Sequence, residues 1–394
     1  SSPPKQLFFT ILGGMAQAKI MAGSPMANKS LYRAIRFMVH DASIFIELEN
    51  GKRLLILREI EIDRARQKAN VDEVFGYTDF IPEGGLSGDR DTGAAQSAAE
   101  CLKRNNVTTV TADRTLPLLY VDAIRHAGIE VELDPDFGVL DRRVKDEQEI
   151  EWLKYAQSIT EQVMQMACET VGKAEVDSNG GLLYEGDPLT SERVRHMIDL
   201  FLLERDFENV PSIVAGGSDG GDCHHLGTGQ LMTGQPVIID IFPMDKKTLY
   251  NGDCTRTVVH GEIPDEIVKM HTAVVEAKRA TTAIVKAGVT GETIHLETLS
   301  VLNEAGYHDG LPPDGSPPTY CSIPHGTGHG IGLDVHEPPL LDRNGHALLA
   351  GDVITIEPGL YCHALGGVRV EDMVLVTEHG SENFNTLHAG LTWC

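Results

Sequence analysis

The chain has 394 residues, of which 41% are hydrophobic, and it carries a formal net charge of −25. This length is sufficient for two domains with ample cores. The acidic balance argues against nucleic acid as a partner, because phosphate binding needs a basic surface. No run of residues approaches the ~18 consecutive apolar residues that span a bilayer, so no membrane partner is expected either.

Cysteine usage and the N-terminal stretch bear on the compartment. The seven cysteines are odd in number and widely scattered, which is not the pattern of a disulfide framework. The stretch SSPPKQLFFTILGGMAQAKIMAG has a short apolar patch preceded only by Lys5, and it lacks the layout of a signal peptide. These features predict a cytoplasmic protein.

The first third of the chain alternates strands with helices. Residues 43–57 predict a hairpin, since apolar residues alternate on both sides of Asn50-Gly51, a pair that suits a tight turn. The elements predicted after it are a helix over 92–106, a strand over 107–112, a helix over 116–127 and a strand over 129–133. This order predicts a small α/β domain, and nothing in it suggests catalysis.

A cluster of turn-forming residues, Asp134-Pro135-Asp136 followed by Gly138, marks the predicted boundary between domains 1–138 and 139–394. The second domain is predicted to open with an amphipathic helix over 146–171.

Three further features of the second domain follow along the chain. The Gly-rich segment 177–187 is predicted to be a loop, and Ser191 is predicted to cap a helix that runs to about residue 204. Another long helix is predicted to open at Pro264-Asp265 and to end before Gly288.

The stretch VIIDIFPMDKKTLYNGDCTRT, over 237–257, carries two carboxylates in a mostly apolar context. Asp240 ends an apolar run typical of a strand, and a polar loop returns the chain to Asp253. A buried carboxylate is costly unless a cation or several donors satisfy it. Either these two residues bind metal, or they are held apart with Arg256 between them.

Three more residues of the same kind follow. His329 lies in HGTGHGIGLDVHE, Glu357 in ITIEPG and Glu371 in GVRVED. Together with the two aspartates they offer mainly hard oxygen ligands and one imidazole, which suits Mn, Co, Zn or Fe. Four carboxylates and one neutral histidine match the charge of two divalent cations.

In order and context, these five residues resemble those of the pita-bread metallopeptidases: methionine aminopeptidase, aminopeptidase P, prolidase and the metal-free creatinases. The resemblance covers about two thirds of the chain, from Arg142 to the C-terminus. The segments DCTRT, HGTGHGIGLDVHE and ITIEPG look most like prolidase and aminopeptidase P. The resemblance implies an α+β fold, in which a small α/β domain precedes a pita-bread catalytic domain with a curved antiparallel sheet.

The resemblance also implies roles for individual residues. The implied metal ligands are Asp240, Asp253, His329, Glu357 and Glu371, with Asp253 and Glu371 bridging. Glu357 would in addition accept the proton of the attacking water. His325 and His336 would line the substrate pocket and stabilise the carbonyl or the tetrahedral intermediate, although lone histidines are more often structural.

Two assignments depend on local pattern. The spacing of His325 and His329 would suit a zinc-protease pair on a helix, but the glycines between and after them make a helix implausible. Arg369 is predicted to share a strand face with Glu371 and to keep that carboxylate ionised.

The third substrate histidine of the family is either His224 or His225, and the sequence favours His224. Twelve residues separate Asp240 from Asp253, more than in many relatives. Phe242 or Tyr250 in this loop would reshape the pocket.

The function implied is hydrolysis of Xaa-Pro dipeptides, with two divalent metal ions as cofactor. Manganese is favoured, with cobalt or zinc as alternatives, and a homodimer is expected. One alternative is an aminopeptidase P acting on longer Xaa-Pro peptides, and methionine aminopeptidase is disfavoured because it usually lacks an N-terminal domain. An alternative of another class is a non-catalytic pita-bread protein that binds protein or RNA, but such relatives lose ligands and this chain keeps all five.

Overall fold

The structure is a computed structural model that describes residues 16–393. The chain divides into two compact units, Ser1–Arg142 and Arg143–Cys394, a division close to the predicted boundary after residue 138. Most of the stretch tested for a signal peptide lies outside the described residues.

The first unit is built on one mixed sheet with the strand order β4-β3-β2-β1-β5-β6. β1 pairs antiparallel with β2 and parallel with β5. Its elements are β1 (Ala16–Gly23), α1 (Lys29–Ile35), β2 (Ser43–Leu48), β3 (Arg53–Leu57), α2 (Ile62–Lys68), β4 (Glu73–Gly76), α3 (Arg90–Arg104), β5 (Val107–Ala112), α4 (Leu118–His126) and β6 (Glu130–Leu133). Buried apolar residues form two clusters, in which alternate residues of the central strands take part.

The elements predicted for this unit are confirmed. β2 and β3 form the antiparallel hairpin across Asn50-Gly51. α3, β5, α4 and β6 occupy the predicted positions with ends shifted by one or two residues. The earlier start of α3 has a local cause, since the Asp89 side chain accepts a hydrogen bond from the Thr92 backbone N–H and caps the helix.

The second unit combines four helices with short strands. Its elements are α5 (Glu147–Gly172), β7 (Glu175–Val176), β8 (Leu182–Tyr184), β9 (Asp187–Pro188), α6 (Ser191–Leu203), β10 (Phe207–Glu208), β11 (Ile213–Gly216), β12 (Pro236–Ile241), β13 (Met244–Asp245), β14 (Cys254–Val259), α7 (Asp265–Ile284), α8 (Gly291–Glu304), β15 (His308–Asp309), β16 (Ser322–Ile323), β17 (Gly328–Gly330), β18 (Glu337–Leu341), β19 (Val353–Ile356), β20 (Gly359–Cys362), β21 (Gly366–Arg369), β22 (Asp372–Val376) and β23 (Ser381–Asn383).

Three antiparallel arrangements in this unit carry the candidate site residues. One has the strand order β11-β12-β14, and another has the order β18-β17-β19-β22-β23. In the third, β20 pairs with β21 and with β16. The molecule therefore combines a small α/β unit with a unit of helices and antiparallel sheets, which confirms the predicted α+β class.

Two local predictions in the second unit were wrong. Thr190, not Ser191, caps α6, because its side chain accepts a hydrogen bond from the Arg193 backbone N–H. The Gly-rich segment predicted as a loop contains β8 and contributes to a three-stranded sheet with β7 and β9. Strands of two or three residues are too short to show an alternating pattern in the sequence.

The long helix α5 forms as predicted. Asp146 caps it, and Glu149 completes a reciprocal capping box with the Asp146 backbone. The helix buries an apolar stripe in a core that also contains alternate residues of β12. Within residues 16–393, no helix is long and apolar enough to cross a membrane.

Candidate metal centre

Asp240 lies near the end of β12, on the sheet face opposite to the main apolar core. Val237, Ile239 and Ile241 point into that core, while Ile238 belongs to a separate cluster with residues of β11. Since side chains alternate along a strand, Asp240 shares the face of Ile238. In the neighbouring strands it pairs in register with Ile213 and Thr255.

His329 occupies the centre of β17, and two close backbone approaches fix this strand. A Cβ atom at Gly328 would lie 2.1 Å from the Thr355 carbonyl oxygen, and one at Gly330 would lie 2.3 Å from the Pro338 carbonyl oxygen. Only glycine fits at these positions. The glycines around His329 therefore allow β17 to pack between β18 and β19, and the structure shows a strand where the sequence argued against a helix.

Glu357 and Glu371 each lie beside the end of a strand. Glu357 directly follows β19, and its backbone N–H donates to the Thr327 carbonyl. Glu371 precedes β22, and its backbone N–H donates to the Thr255 carbonyl over 3.1 Å. The Thr255 hydroxyl donates to the Glu371 Oε2 atom over 2.8 Å, so β14 holds both the backbone and the carboxylate of Glu371.

These residues converge on one cavity of about 380 Å³. Asp253, His329 and Glu371 each offer a donor atom, and the three atoms lie within 4.8 Å of one another. His329 Nε2 lies 3.7 Å from Asp253 Oδ2 and 3.2 Å from Glu357 Oε1. Asp240 and Glu357 line the same cavity. All five residues predicted as ligands are thus brought together.

The carboxylates resist being ionised together. Burial raises the pKa of Asp253 well above its ordinary value, and the charges of Glu371 and Asp240 raise it further. Burial, followed by the charges of Glu357 and Asp240, likewise raises the pKa of Glu371 well above its ordinary value. Neighbouring carboxyl groups of this kind ionise together only when positive charge lies between them.

Glu357 behaves differently because it pairs with His329. Burial opposes its ionisation, but the hydrogen bond and charge of His329, with the charge of Arg369, outweigh burial and lower the Glu357 pKa to about 2. Burial also opposes a charge on His329, and the hydrogen bond and charge of Glu357 outweigh it, so the His329 pKa is raised. Glu357 therefore stays ionised at neutral pH.

The donor set fits divalent cations. Asp240 Oδ1 is buried and has no hydrogen-bond partner among residues 16–393, although Oδ2 accepts a hydrogen bond from Arg369 over 2.7 Å. A buried carboxylate oxygen without a partner is costly, and a metal ion in the cavity would satisfy it. Four carboxylates and one imidazole are the ligands that Mn, Co and Zn accept.

Arg369 serves Asp240 instead of Glu371. Its guanidinium donates to the Asp240 carboxylate and, over 2.6 Å, to the Tyr361 hydroxyl. The Arg369 charge lowers the Glu371 pKa, in the predicted direction, but burial and the charges of Glu357 and Asp240 outweigh it.

The alternative with Arg256 between the two aspartates also fails. The Arg256 side chain is almost wholly buried, and it bonds to the Glu371 carbonyl, the Asp372 carboxylate and the His388 carbonyl. It therefore supports the segment that carries Glu371, and the space between Asp240 and Asp253 is left to another group.

His325 lines the cavity, but its two ring nitrogens are both engaged. Nδ1 lies 2.7 Å from the Gly326 carbonyl, and Nε2 lies 2.7 Å from the Tyr361 hydroxyl. A carbonyl only accepts, so Nδ1 carries the proton and Nε2 accepts from Tyr361. Burial lowers the pKa of His325, which favours this neutral form.

The other three candidate histidines, His336, His224 and His225, differ in whether they line the cavity. His336 lines the cavity edge-on to His329, with ring centroids 4.4 Å apart, and burial followed by the charge of His329 lowers its pKa. His224 also lines the cavity. His225 does not line the cavity. Its Nδ1 accepts from the Gly227 backbone N–H over 3.0 Å and lies 3.6 Å from Asp219.

Phe242 and Tyr250, both in the loop between Asp240 and Asp253, lie in different surroundings. Phe242 lines the cavity, whereas Tyr250 is buried, packs against Trp152 and donates its hydroxyl to Glu149. Sequence reasoning missed Tyr361 altogether. It lies in the apolar strand β20, where a tyrosine reads as an ordinary core residue, and only its contacts with His325 and Arg369 show its place in the site.

The fold and this constellation define a class of protein: a metal-dependent enzyme whose site lies on antiparallel strands of its second unit. The sequence profile of metallopeptidase family M24 matches residues 151–378. The chain belongs to this metallopeptidase family, and the membership supports an enzyme over a non-catalytic binding protein.

Individual relatives agree with this assignment. The chain is 29% identical over 245 residues to the Xaa-Pro dipeptidase of Pyrococcus furiosus, an alignment that covers 61% of this chain and 62% of that protein. Among solved structures, the prolidase from Pyrococcus furiosus has a TM-score of 0.74 at 23% identity, covering 94% of this chain and 96% of that one.

The X-Pro aminopeptidase from Thermotoga maritima MSB8 has a TM-score of 0.77 at 25% identity, covering 96% and 97% of the two chains. These structures confirm the predicted fold, with an N-terminal domain followed by a pita-bread domain.

Proposed function

We propose that the protein hydrolyses the Xaa-Pro bond of dipeptides at a centre of two divalent metal ions, as a prolidase. The observation that carries the proposal is the convergence of the five predicted ligand residues on one cavity. Its volume of about 380 Å³ is in the range of small-molecule sites. The similarity to the Xaa-Pro dipeptidase of Pyrococcus furiosus supports the substrate class.

The proposed ligands are Asp240, Asp253, His329, Glu357 and Glu371. When bound, the two ions would supply a water of lowered pKa and a Lewis acid for the substrate carbonyl. We propose manganese, since carboxylate oxygens outnumber the one imidazole in this set. Cobalt and zinc are the alternatives.

Glu357 is the residue that accepts the proton of the attacking water. The bound ions would favour its ionised form, and only an ionised carboxylate has room for that proton. Since it lines the cavity, it can then carry the proton to the leaving nitrogen of proline.

His336 and His224 are the residues that donate to the substrate carbonyl as negative charge develops on its oxygen. Both line the cavity, and a neutral imidazole has one N–H to give. His325, with both nitrogens engaged, acts through its bond to Tyr361, which in turn bonds Arg369 and through it Asp240. These contacts orient the carboxylate of Asp240, one of the proposed ligands.

A specific observation favours a second candidate, an aminopeptidase that takes longer Xaa-Pro peptides. A dipeptide presents a free carboxylate beside the scissile bond. Among the cavity-lining residues that the structure describes, Arg369 is the one permanent cation, and Asp240 already neutralises it. The wall also contains Leu340 and the carboxylate of Asp342, which do not attract a carboxylate. A longer peptide would not place its carboxylate there.

The remaining proposals concern organisation. We propose that residues 1–138 form an N-terminal domain and residues 139–394 the catalytic domain. The cysteines described in the structure are all unpaired, which supports a reducing compartment such as the cytoplasm. A homodimer is proposed from the resemblance alone, and a monomeric native mass in solution would contradict it.

The test compares an Xaa-Pro dipeptide with the same sequence extended by one residue, using the manganese-loaded protein and a chelated control. Cleavage confined to the dipeptide supports the prolidase, and cleavage of the longer peptide supports the aminopeptidase. Asp342→Asn sharpens the choice, since removing this charge should raise kcat/KM for the dipeptide relative to the tripeptide. Failure to cleave either peptide, or cleavage unaffected by the chelator, refutes the two-metal proposal.

A further inference from the structure

The helix α5 meets the chain just before Asp253 without any gap. A Cβ atom at Gly252 would lie 2.1 Å from the Thr160 hydroxyl oxygen and 2.9 Å from the Ala156 carbonyl oxygen. Only a residue without a side chain can come so close to the helix. The Gly252 backbone N–H also donates to the Pro243 carbonyl over 2.9 Å, so the approach is held from both sides.

Gln157, also on α5, forms two hydrogen bonds with the backbone of Asp253. Its Nε2 donates to the Asp253 carbonyl over 2.6 Å, and its Oε1 accepts from the Asp253 backbone N–H over 2.8 Å. The Gln157 side chain is wholly buried. A primary amide is well suited to this position, because it offers a donor and an acceptor side by side and carries no charge.

The same amide extends the contact towards Glu371. Gln157 Nε2 also donates to the Asn385 side-chain oxygen over 2.9 Å, and that oxygen accepts from the Met373 backbone N–H over 2.8 Å. Met373 lies two residues after Glu371. Two amide side chains thus connect the backbone of Asp253 to the strand that follows Glu371, without touching either carboxylate.

This connection acts where the two proposed ligands approach one another. Asp253 and Glu371 each offer a donor atom within 4.8 Å of the other, and both side chains are buried. A backbone bonded to α5 cannot yield without breaking buried hydrogen bonds, each of which is costly to leave unmade.

We infer that Gln157 is a positioning residue of the metal centre, which holds Asp253 against α5 and, through Asn385, at a fixed distance from Glu371. The inference rests on the proposed function, since it takes Asp253 and Glu371 as ligands of the same ions. Gln157 acts on the backbone and contacts neither the ions nor the substrate. Groups that hold a metal ligand in place without contacting the ion typically contribute 10–100-fold to metal affinity.

The test measures manganese affinity of the full chain by counting free Mn(II) with electron paramagnetic resonance. Gln157→Met keeps the length of the side chain and removes its bonds to Asp253. We expect the Kd for manganese to rise about 10–100-fold, and kcat at saturating manganese to fall with little change in KM. Gln230→Met is the matched control: it removes side-chain bonds to Asp177 and Leu182. None of these three residues lines the cavity, so both quantities should stay unchanged.

A merely structural role predicts a different result. Gln157→Met would then lower the unfolding temperature but bind manganese like the unsubstituted protein at temperatures where both are folded, and a Kd within about threefold would overturn the inference. Asn385→Ala gives a second test if the first variant does not fold. It leaves the bonds between Gln157 and Asp253 in place and removes the Asn385 side-chain contacts with Gln157, Met373 and Cys254. It should weaken manganese binding on the order of tenfold, and unchanged binding would likewise overturn the inference.

Asp253→Asn separates this inference from the proposed function. If Asp253→Asn binds manganese normally, the proposed ligand set is wrong, and the role of Gln157 fails with it. If Asp253→Asn loses manganese while Gln157→Met and Asn385→Ala keep it, the ligand set stands and only the positioning role is refuted.

Discussion

The two units of the chain differ in what they bury. The first is filled with aliphatic and aromatic side chains, and its few buried polar groups include Ser43, Ser97 and Asp113. The second buries carboxylates, guanidinium groups, an ammonium group and imidazoles in addition to its apolar clusters. Burying charge does not stabilise a fold by itself. We infer that the charged groups buried at the site make the second unit less stable than apolar packing would. The first unit does not carry this cost.

Several buried charged groups of the second unit nevertheless form ion pairs. Lys145 lies 2.7 Å from Glu337, and Arg143 lies 2.6 Å from Asp352, with all four side chains buried. Asp253 and Glu371, in contrast, are buried beside other carboxylates, at the cavity where cations are proposed to bind.

The largest expected effect is on catalysis by the second unit. Glu357→Gln keeps the shape and one oxygen donor but removes the proton acceptor, so we expect kcat on an Xaa-Pro dipeptide to fall on the order of 10²–10⁴-fold. Steady-state kinetics of the manganese-loaded protein measures it. Glu382→Gln, at a half-exposed carboxylate that pairs with Lys154, is the control. A kcat within about threefold of the unsubstituted value would show that Glu357 moves no proton.

The sequence located this site because its residues carry local signals. Asp240 and Glu357 each end an apolar run, so their neighbours place them beside strands. Gln157 and Tyr361 carry no such signal. Gln157 lies 96 residues from Asp253 along the chain, and both residues sit in segments that read as a helix or strand of the core. Contacts between distant segments leave no periodic pattern, and the structure alone shows them.

The fold shows the same limit. Asn50-Gly51 and the repeat of apolar residues over α5 were sufficient to predict the hairpin and the helix. The three short strands around β8 were not predictable, because their pairing depends on partners along the chain and not on their own two or three residues.

The second prediction tests whether the buried cation of the second unit is needed to balance Asp240. Arg369→Met removes the charge and leaves a side chain of similar length. We expect the free energy of unfolding, measured in chelator, to fall by about 3–5 kcal/mol, since one partner of a buried pair is left alone.

Arg343→Met provides the contrast for this prediction. That guanidinium is 58% exposed and pairs with Asp309 at the surface, so its removal should cost less than about 1 kcal/mol. Equal effects of the two substitutions would mean that burial of Arg369 has no energetic consequence, and the comparison of the two units would lose its basis.

The third prediction turns to the first unit. Ile46 in β2 is fully buried in an apolar cluster, and Ile46→Ala should lower the stability of this unit by about 2–5 kcal/mol through lost burial and a cavity. Manganese affinity of the folded protein should not change. Thermal unfolding and manganese titration measure the two quantities, and Ile60→Ala, at a residue that is 73% exposed, should change stability by less than about 0.5 kcal/mol. A loss of manganese affinity in Ile46→Ala would contradict the separation of packing and site between the two units.

The smallest expected effect concerns acid. His271 on α7 lies with its Nε2 2.6 Å from the Ala389 carbonyl, to which it must donate, and burial lowers the His271 pKa below its ordinary value. A histidine with a depressed folded pKa stabilises the fold above its unfolded pKa of about 6.5 and loses that contribution as the pH falls through its folded pKa. His271→Gln keeps a donor near the Nε2 position but does not titrate. The unfolding temperature of the unsubstituted protein should therefore fall more steeply than that of His271→Gln as the pH drops below about 6.5, with parallel curves above pH 7. Parallel curves over the whole range would show that this buried imidazole does not contribute to the acid sensitivity of the second unit.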